Sequence, residues 1–255
     1  MWTSLYQEFY KMNHKKVTWF APIIMFFLMI FLGVAMGHSE ERLLVMTCYG
    51  SSEWILLVLV IVGSTLFSME FQNNAILTLL YKTASKINVY FSKLTVLFTY
   101  NVLLHVLAMV FTVILQLTPL NDHVSWLAIY QYKQPLIVNM LVTTGIDLLT
   151  STLIISLIFL TSCLINVNSV VITLNIAIVF MGQNMSADLL NANSKLAPLV
   201  KWNPLNMCNL TTQYYNYPVY HDLSMLSNLQ LIMGTLTYTV LFFLLGYLVF
   251  RKKRF

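Results

Sequence analysis

Long apolar runs separated by polar intervals dominate the chain. They cover Val17–Met36, Trp54–Met69, Leu94–Leu117, Pro135–Leu164, Ser169–Met185 and Asn228–Phe250. Each meets or approaches the roughly 17–25 residues that carry a helix across a ~30 Å hydrocarbon core. The second is the shortest and can extend to Phe71. The fourth opens on Pro135, a residue suited to a first helical turn, and an interfacial piece near Trp126–Tyr132 is expected before it. The short alternating segments of a membrane β-barrel are absent. The pattern predicts an all-α polytopic membrane protein with six transmembrane helices, forming a single domain over residues 1–255.

Two shorter stretches are amphipathic. Trp2, Leu5, Tyr6, Phe9 and Met12 recur at helical spacing, with Gln7, Lys11 and His14 on the other face. Such a helix lies flat in the headgroup layer, so residues 1–16 are expected to be an interfacial helix. The second stretch, residues 70–92, separates the second and third runs. Phe71, Ala75, Leu79 and Lys82 trace one stripe, widened by Ile76, Leu77 and Leu80, while Gln72, Asn73 and Asn74 stay polar. The pattern breaks at KTAS, where Thr83 or Ser85 can cap a second turn, and KINVYFSK then re-enters the third run. Simple chain reversal needs only a handful of residues, so this segment is read as a docking surface.

The longest interval, residues 186–227, is expected outside the cell. About forty residues without structure would be unusual. Leu189–Val200 is read as a short helix, and Pro198, Pro204 and Pro218 break the chain. Trp202, Tyr214, Tyr215, Tyr217 and Tyr220 form either an interfacial belt or an exit for an amphiphilic substrate, with the belt preferred.

Composition reinforces the membrane reading: 58% of residues are hydrophobic and 9% charged, against about 25% charged in soluble domains. Six spans place both termini on one side. That side collects Lys11, Lys15, Lys16, Lys82, Lys86, Lys93 and the four basic residues of RKKRF. The other receives Arg42, Lys133, Lys195 and Lys201. The termini are therefore expected to be cytoplasmic. The net charge of +5 then reflects topology and anionic lipid rather than nucleic-acid binding. RKKRF reads first as a stop-transfer anchor, and the N-terminus reads as no cleavable signal.

Chemistry-bearing motifs are scarce. The chain has no GxxxxGK[ST], HExxH or GxSxG, and its five histidines are scattered. It is expected to bind no cofactor or metal of its own and to be no enzyme. The three cysteines lack metal-ligand spacing. Cys163 reads as a core residue, and a Cys48–Cys208 disulfide is left open. Only His105 and Asp147 are titratable residues deep within runs. Asp147 either lines a translocation path or proton site, or joins helices with help from Asn139 or Thr143; His105 reads mainly as packing. Gly33 and Gly37 of GVAMG permit close helix approach, within the chain or across a dimer.

Together, the six spans, the N-terminal interfacial helix and the segment after span two resemble the permease subunits of ABC-2 class exporters. The matching residues are Glu70–Phe71, Leu79–Leu80, Ser85–Lys86, Tyr90 and Lys93. The family's usual glycine is replaced by Asn74 or Ala75, and its corner lacks proline here. The short chain is most similar to permeases of Gram-positive antimicrobial-peptide exporters, among them lantibiotic and bacitracin immunity transporters and staphylococcal phenol-soluble modulin exporters. The resemblance implies a bacterial plasma-membrane subunit that pairs with a second permease and with cytoplasmic ABC ATPase subunits carrying ATP and Mg. It implies an amphipathic peptide as substrate. It makes Glu70, Phe71, Ala75, Leu79, Leu80, Lys82, Ser85 and Lys86 an ATPase-coupling element. Asp147, His105 and Asn139 become translocation-path candidates, and Gly33 and Gly37 dimer-interface candidates. Two other functions are kept open: a proton-coupled carrier using Asp147, and a non-transporting sensor or scaffold.

Overall fold

The computed structural model describes residues 2–73, 85–118, 124–192 and 196–253. Among them are six helices long and apolar enough to cross a membrane. These are span one (Lys16–Met36), span two (Ser51–Gln72), span three (Lys86–Gln116), span four (Leu136–Leu164), span five (Asn168–Ala192) and span six (Asn228–Lys252). No strand occurs among the described residues, only an isolated bridge between Ile129 and Pro135. The protein is an all-α polytopic membrane protein. Its N-terminal helix, Trp2–Asn13, packs against span three and turns into span one.

Several boundaries differ from the apolar runs. KINVYFSK is the first two turns of span three, not a separate re-entry. Lys86–Gln116 contains neither Gly nor Pro, so nothing stops the helix where its lysines begin. Ser85 takes the N-cap position with extended backbone but makes no side-chain cap bond. Pro135 is likewise the residue before span four, at φ −59° and ψ 148°, rather than part of its first turn. Span five continues to Ala192 because polar residues past Met185 still have a buried face, formed by Ser186 and Leu190. Leu189–Ala192 is thus its last turn, and Ala197–Val200 a separate helix. At Trp126–Tyr132 a turn leads into a 3-10 turn, Gln131–Lys133.

Span four is the hub. In its apolar window 72% of residues are buried, against 22% in spans one, five and six. Near the end that carries both termini (the terminal end), Phe67, Tyr90, Phe159 and Phe250 pack edge to face. Phe67 lies 5.1 Å from Phe159 and 5.4 Å from Phe250, and Tyr90 lies 5.5 Å from Phe159. Such pairs add about 0.5–1.5 kcal/mol each beyond their buried area. Gly246 lets span six approach this cluster: a Cβ there would sit 2.7 Å from the Tyr90 hydroxyl.

At the far end, the segment between spans five and six folds back into the protein. It forms a 3-10 turn (Asn206–Asn209) and helices Leu210–Tyr215 and Tyr217–Ser224. Irregular backbone is tolerated at membrane depth only where protein satisfies its polar groups. Here Asn206 Nδ2 donates to the Lys201 and Ser224 carbonyls, and Gln213 Nε2 to the Leu226 carbonyl. Tyr214 stacks on Tyr132 at 4.8 Å, and Tyr217 on His221 at 4.7 Å. All three cysteines are free and buried.

Candidate functional site

Four charged side chains converge at the terminal end. Glu8 and Lys11 come from the N-terminal helix, Glu70 from the last turn of span two, and Lys93 from the beginning of span three. The Lys93 ammonium lies 2.9 Å from Glu8 Oε2 and 2.8 Å from Glu70 Oε2. It also donates to the Leu66 carbonyl at 2.9 Å. The Lys11 ammonium lies 2.8 Å from Glu8 Oε1 and 2.8 Å from Glu70 Oε1. Two cations and two carboxylates thus close a ring with no net charge. The Lys93 side chain is 0% exposed and that of Glu8 is 2%. Ions this buried persist only when paired, and removing one partner costs about 3–5 kcal/mol.

The N-terminal helix supplies Glu8 because its buried stripe is Ser4, Glu8 and Met12, at four-residue spacing. Trp2, Tyr6 and Tyr10 remain exposed on the other side. Burial works against the charge on Lys11, but hydrogen bonds and attraction from Glu70 and Glu8 outweigh it, so its pKa is raised. Lys15 is the opposite case. Burial first, and then the neighbouring Lys93 charge, lower its pKa, and its ammonium bonds only to the Thr65 hydroxyl at 3.1 Å among the described residues.

Further ties surround this ring. Ser68 donates to Asn168 Oδ1 at the start of span five, and Gln72 accepts from the Asn168 amide at 3.2 Å. Lys86 Nζ donates to the Arg251 and Lys253 carbonyls at 3.2 and 2.9 Å, where a cation complements the C-terminal end of a helix dipole. Lys253 Nζ in turn donates to the Cys163 carbonyl at 2.9 Å and to Asn166 Oδ1, and sits 4.1 Å from the Phe71 ring centre. Both flanks of residues 74–84 are therefore bound to the rest of the protein.

Of the coupling candidates, Ala75, Leu79, Leu80 and Lys82 lie outside the described residues. Glu70 and Phe71 point inward, Glu70 into the charge ring and Phe71 against Phe67 and Phe250. Ser85 precedes span three, and Lys86 reaches the end of span six. Lys11, Glu8 and Lys93 complete an arrangement that a reading by apolar stripes overlooks. Its signal was chemical: Glu8 and Glu70 are the acids on an otherwise basic side, near a lysine that borders an apolar run.

The second cluster lies deeper, toward the far end. His105 Nε2 is 3.1 Å from Asp147 Oδ2, and its Nδ1 is 2.9 Å from the Asn101 carbonyl. Thr211, from the folded-back segment, donates to Asp147 Oδ1 at 3.3 Å. Asp147 is about 16 Å along span four from Leu136, so that segment reaches well into the bundle. The partners of Asp147 are His105 and Thr211 rather than Asn139 or Thr143. Asn139 Nδ2 instead donates to the Gln134 carbonyl at 3.3 Å, and the Thr143 hydroxyl has no partner among the described residues. The chamber beside the pair, lined by Thr144, Ser51 and Tyr215 among others, has only about 10 Å³ of free space, at most one water.

Gly33 receives a side chain from its own polypeptide: a Cβ there would lie 3.0 Å from the Tyr49 ring. Gly37 ends span one with φ +58°, a conformation that favours glycine, and its Cβ would meet nothing within 4 Å.

Residues 4–184 match the family model described as ABC-2 family transporter protein. No curated relative matches the chain.

Proposed function

The chain belongs to the ABC-2 transporter family as a membrane-spanning subunit, and on that premise we propose that it is the permease through which a separate ATPase drives export. The observation that carries this reading is the buried ring of Glu8, Lys11, Glu70 and Lys93. It clamps the last turn of span two and the start of span three to the N-terminal helix, on either side of residues 74–84. A push on that segment would move these elements together. The ATPase, with its ATP and Mg, docks on the terminal end, whose cytoplasmic position the lysine and arginine distribution supports. A second permease completes the membrane unit in the bacterial plasma membrane.

The substrate is an amphipathic peptide taken from the inner leaflet. A cavity of about 610 Å³ between the N-terminal helix and spans one and three supports this. Its walls include Tyr10, Trp19, Pro22, Tyr100 and Phe111, with Asn13 and Thr18 as polar points. An apolar pocket with a few polar groups suits an amphiphile. The His105–Asp147 pair is closed among hydroxyls, which favours a helix-joining role over a proton path.

Purification from its host should bring down a nucleotide-hydrolysing partner. In the reconstituted complex Leu79→Asp should abolish substrate-stimulated hydrolysis, while Asp147→Asn should leave ATP-driven export in place. Export that follows a proton gradient without ATP, and disappears in Asp147→Asn, would contradict the reading.

A further inference from the structure

Span two carries a stripe, Trp54, Val58, Ile61, Thr65 and Met69, that lines two adjoining hollows. The upper hollow, about 320 Å³, lies against span one and is apolar apart from Lys16. The lower, about 430 Å³, begins one helical turn further on and is bounded by the end of the N-terminal helix. The Lys15–Thr65 hydrogen bond fixes the relative height of the two walls. Trp54 is then about 16 Å above Thr65, close to the hydrocarbon depth of one leaflet, half of ~30 Å. The groove opens to the bilayer, because Val17, Phe20 and Ile24 of span one are 46, 57 and 55% exposed.

Charge completes the fit. Lys11, His14 and Lys15 line the lower hollow. Glu70 lines it too, but Lys11 and Lys93 neutralise that carboxylate. Among the described residues Lys15 has a hydroxyl as its bonded partner and no carboxylate paired directly with it. Burial lowers its pKa, so a neighbouring anion would relieve it. Basic pockets between membrane helices suit acidic headgroups. We infer that this groove holds one anionic phospholipid of the leaflet on the terminal side. One of its two acyl chains lies between spans one and two, and its phosphate meets Lys15. The occupied groove would brace the N-terminal helix against span two, and it is separate from the 610 Å³ cavity assigned to the substrate.

Native mass spectrometry of the full-length protein, released from nanodiscs of mixed phosphatidylglycerol and phosphatidylcholine, tests this. One phosphatidylglycerol should be retained in preference to phosphatidylcholine. Lys15→Gln should weaken retention roughly fivefold, the scale of one lysine acting on an acidic headgroup. Ile24→Trp, which fills the exposed groove, should abolish it, and Lys133→Gln at the far end should change nothing. Equal retention of both lipids would overturn the inference, as would unchanged retention in both groove variants. Thermal protection by inorganic phosphate equal to that by phosphatidylglycerol would make it a free-anion site instead, and a co-retained peptide in place of lipid would also refute it. Should Lys15→Gln fail to fold, the lipid preference of the native protein and the Ile24→Trp result decide.

Discussion

Lys93 shows how one side chain can commit a whole end of the protein. It has no exposure, and it joins Glu8, Glu70 and the Leu66 carbonyl at once. Lys93→Ala should cost about 3–5 kcal/mol, read from thermal or denaturant unfolding in detergent, because two carboxylates would lose a buried partner. Lys11 makes a gentler case with a defined pH signature. Its folded pKa is raised, so its stabilising contribution is complete below the unfolded value of about 10.4. That contribution is lost as pH rises through the folded value. The melting difference between wild type and Lys11→Met should therefore be constant near neutrality and shrink in strongly alkaline buffer. A difference that grows with pH would contradict the assignment. The sequence singled out Asp147 and His105 by cost alone, since an ionisable group within a span demands a reason. It could not show that they meet, because the register between spans three and four is set by packing rather than by spacing. Glu8 escaped for a related cause: the N-terminal helix was read from its apolar face, and Glu8 lies on its buried one.

At the scale of elements, the six spans were legible because hydrocarbon thickness imposes their length. Their ends were not. Span three begins at Lys86 rather than Leu94 because its lysines find partners within the protein, so a charged turn need not end the helix. The segment between spans five and six read as an external loop with one short helix. It also holds helices Leu210–Tyr215 and Tyr217–Ser224, and its asparagines and glutamine satisfy its own backbone and let it pack against the bundle. Hydropathy cannot reveal this, because these amides would be equally at home in water. Contact between spans four and six depends on Gly246, where an added Cβ would lie 2.7 Å from the Tyr90 hydroxyl and 3.4 Å from the Leu160 backbone. Gly246→Ala should destabilise the protein by about 1–3 kcal/mol, with Tyr90→Phe recovering part of the loss, as a melting series would show.

For the whole molecule, spans one, five and six leave most of their surface uncovered, while span four is enclosed. Among the described residues, the lysine–glutamate bridges lie at the terminal end, where span two meets the N-terminal helix and span three. This asymmetry suits a subunit moved from one end. The central claim is that the charge ring transmits work rather than merely holding the fold. Removing Glu70 and Lys93 together separates these roles, because Glu8 and Lys11 remain as a neutral pair and no remaining member of the ring is left unpaired. The decisive measurement is ATP-driven export by the reconstituted complex carrying Glu70→Gln and Lys93→Met. The account predicts an assembled complex that melts near the wild-type temperature, still hydrolyses ATP and exports at less than about a tenth of the wild-type rate, a barrier change of roughly 1.4 kcal/mol or more. Wild-type export from that double variant would contradict it.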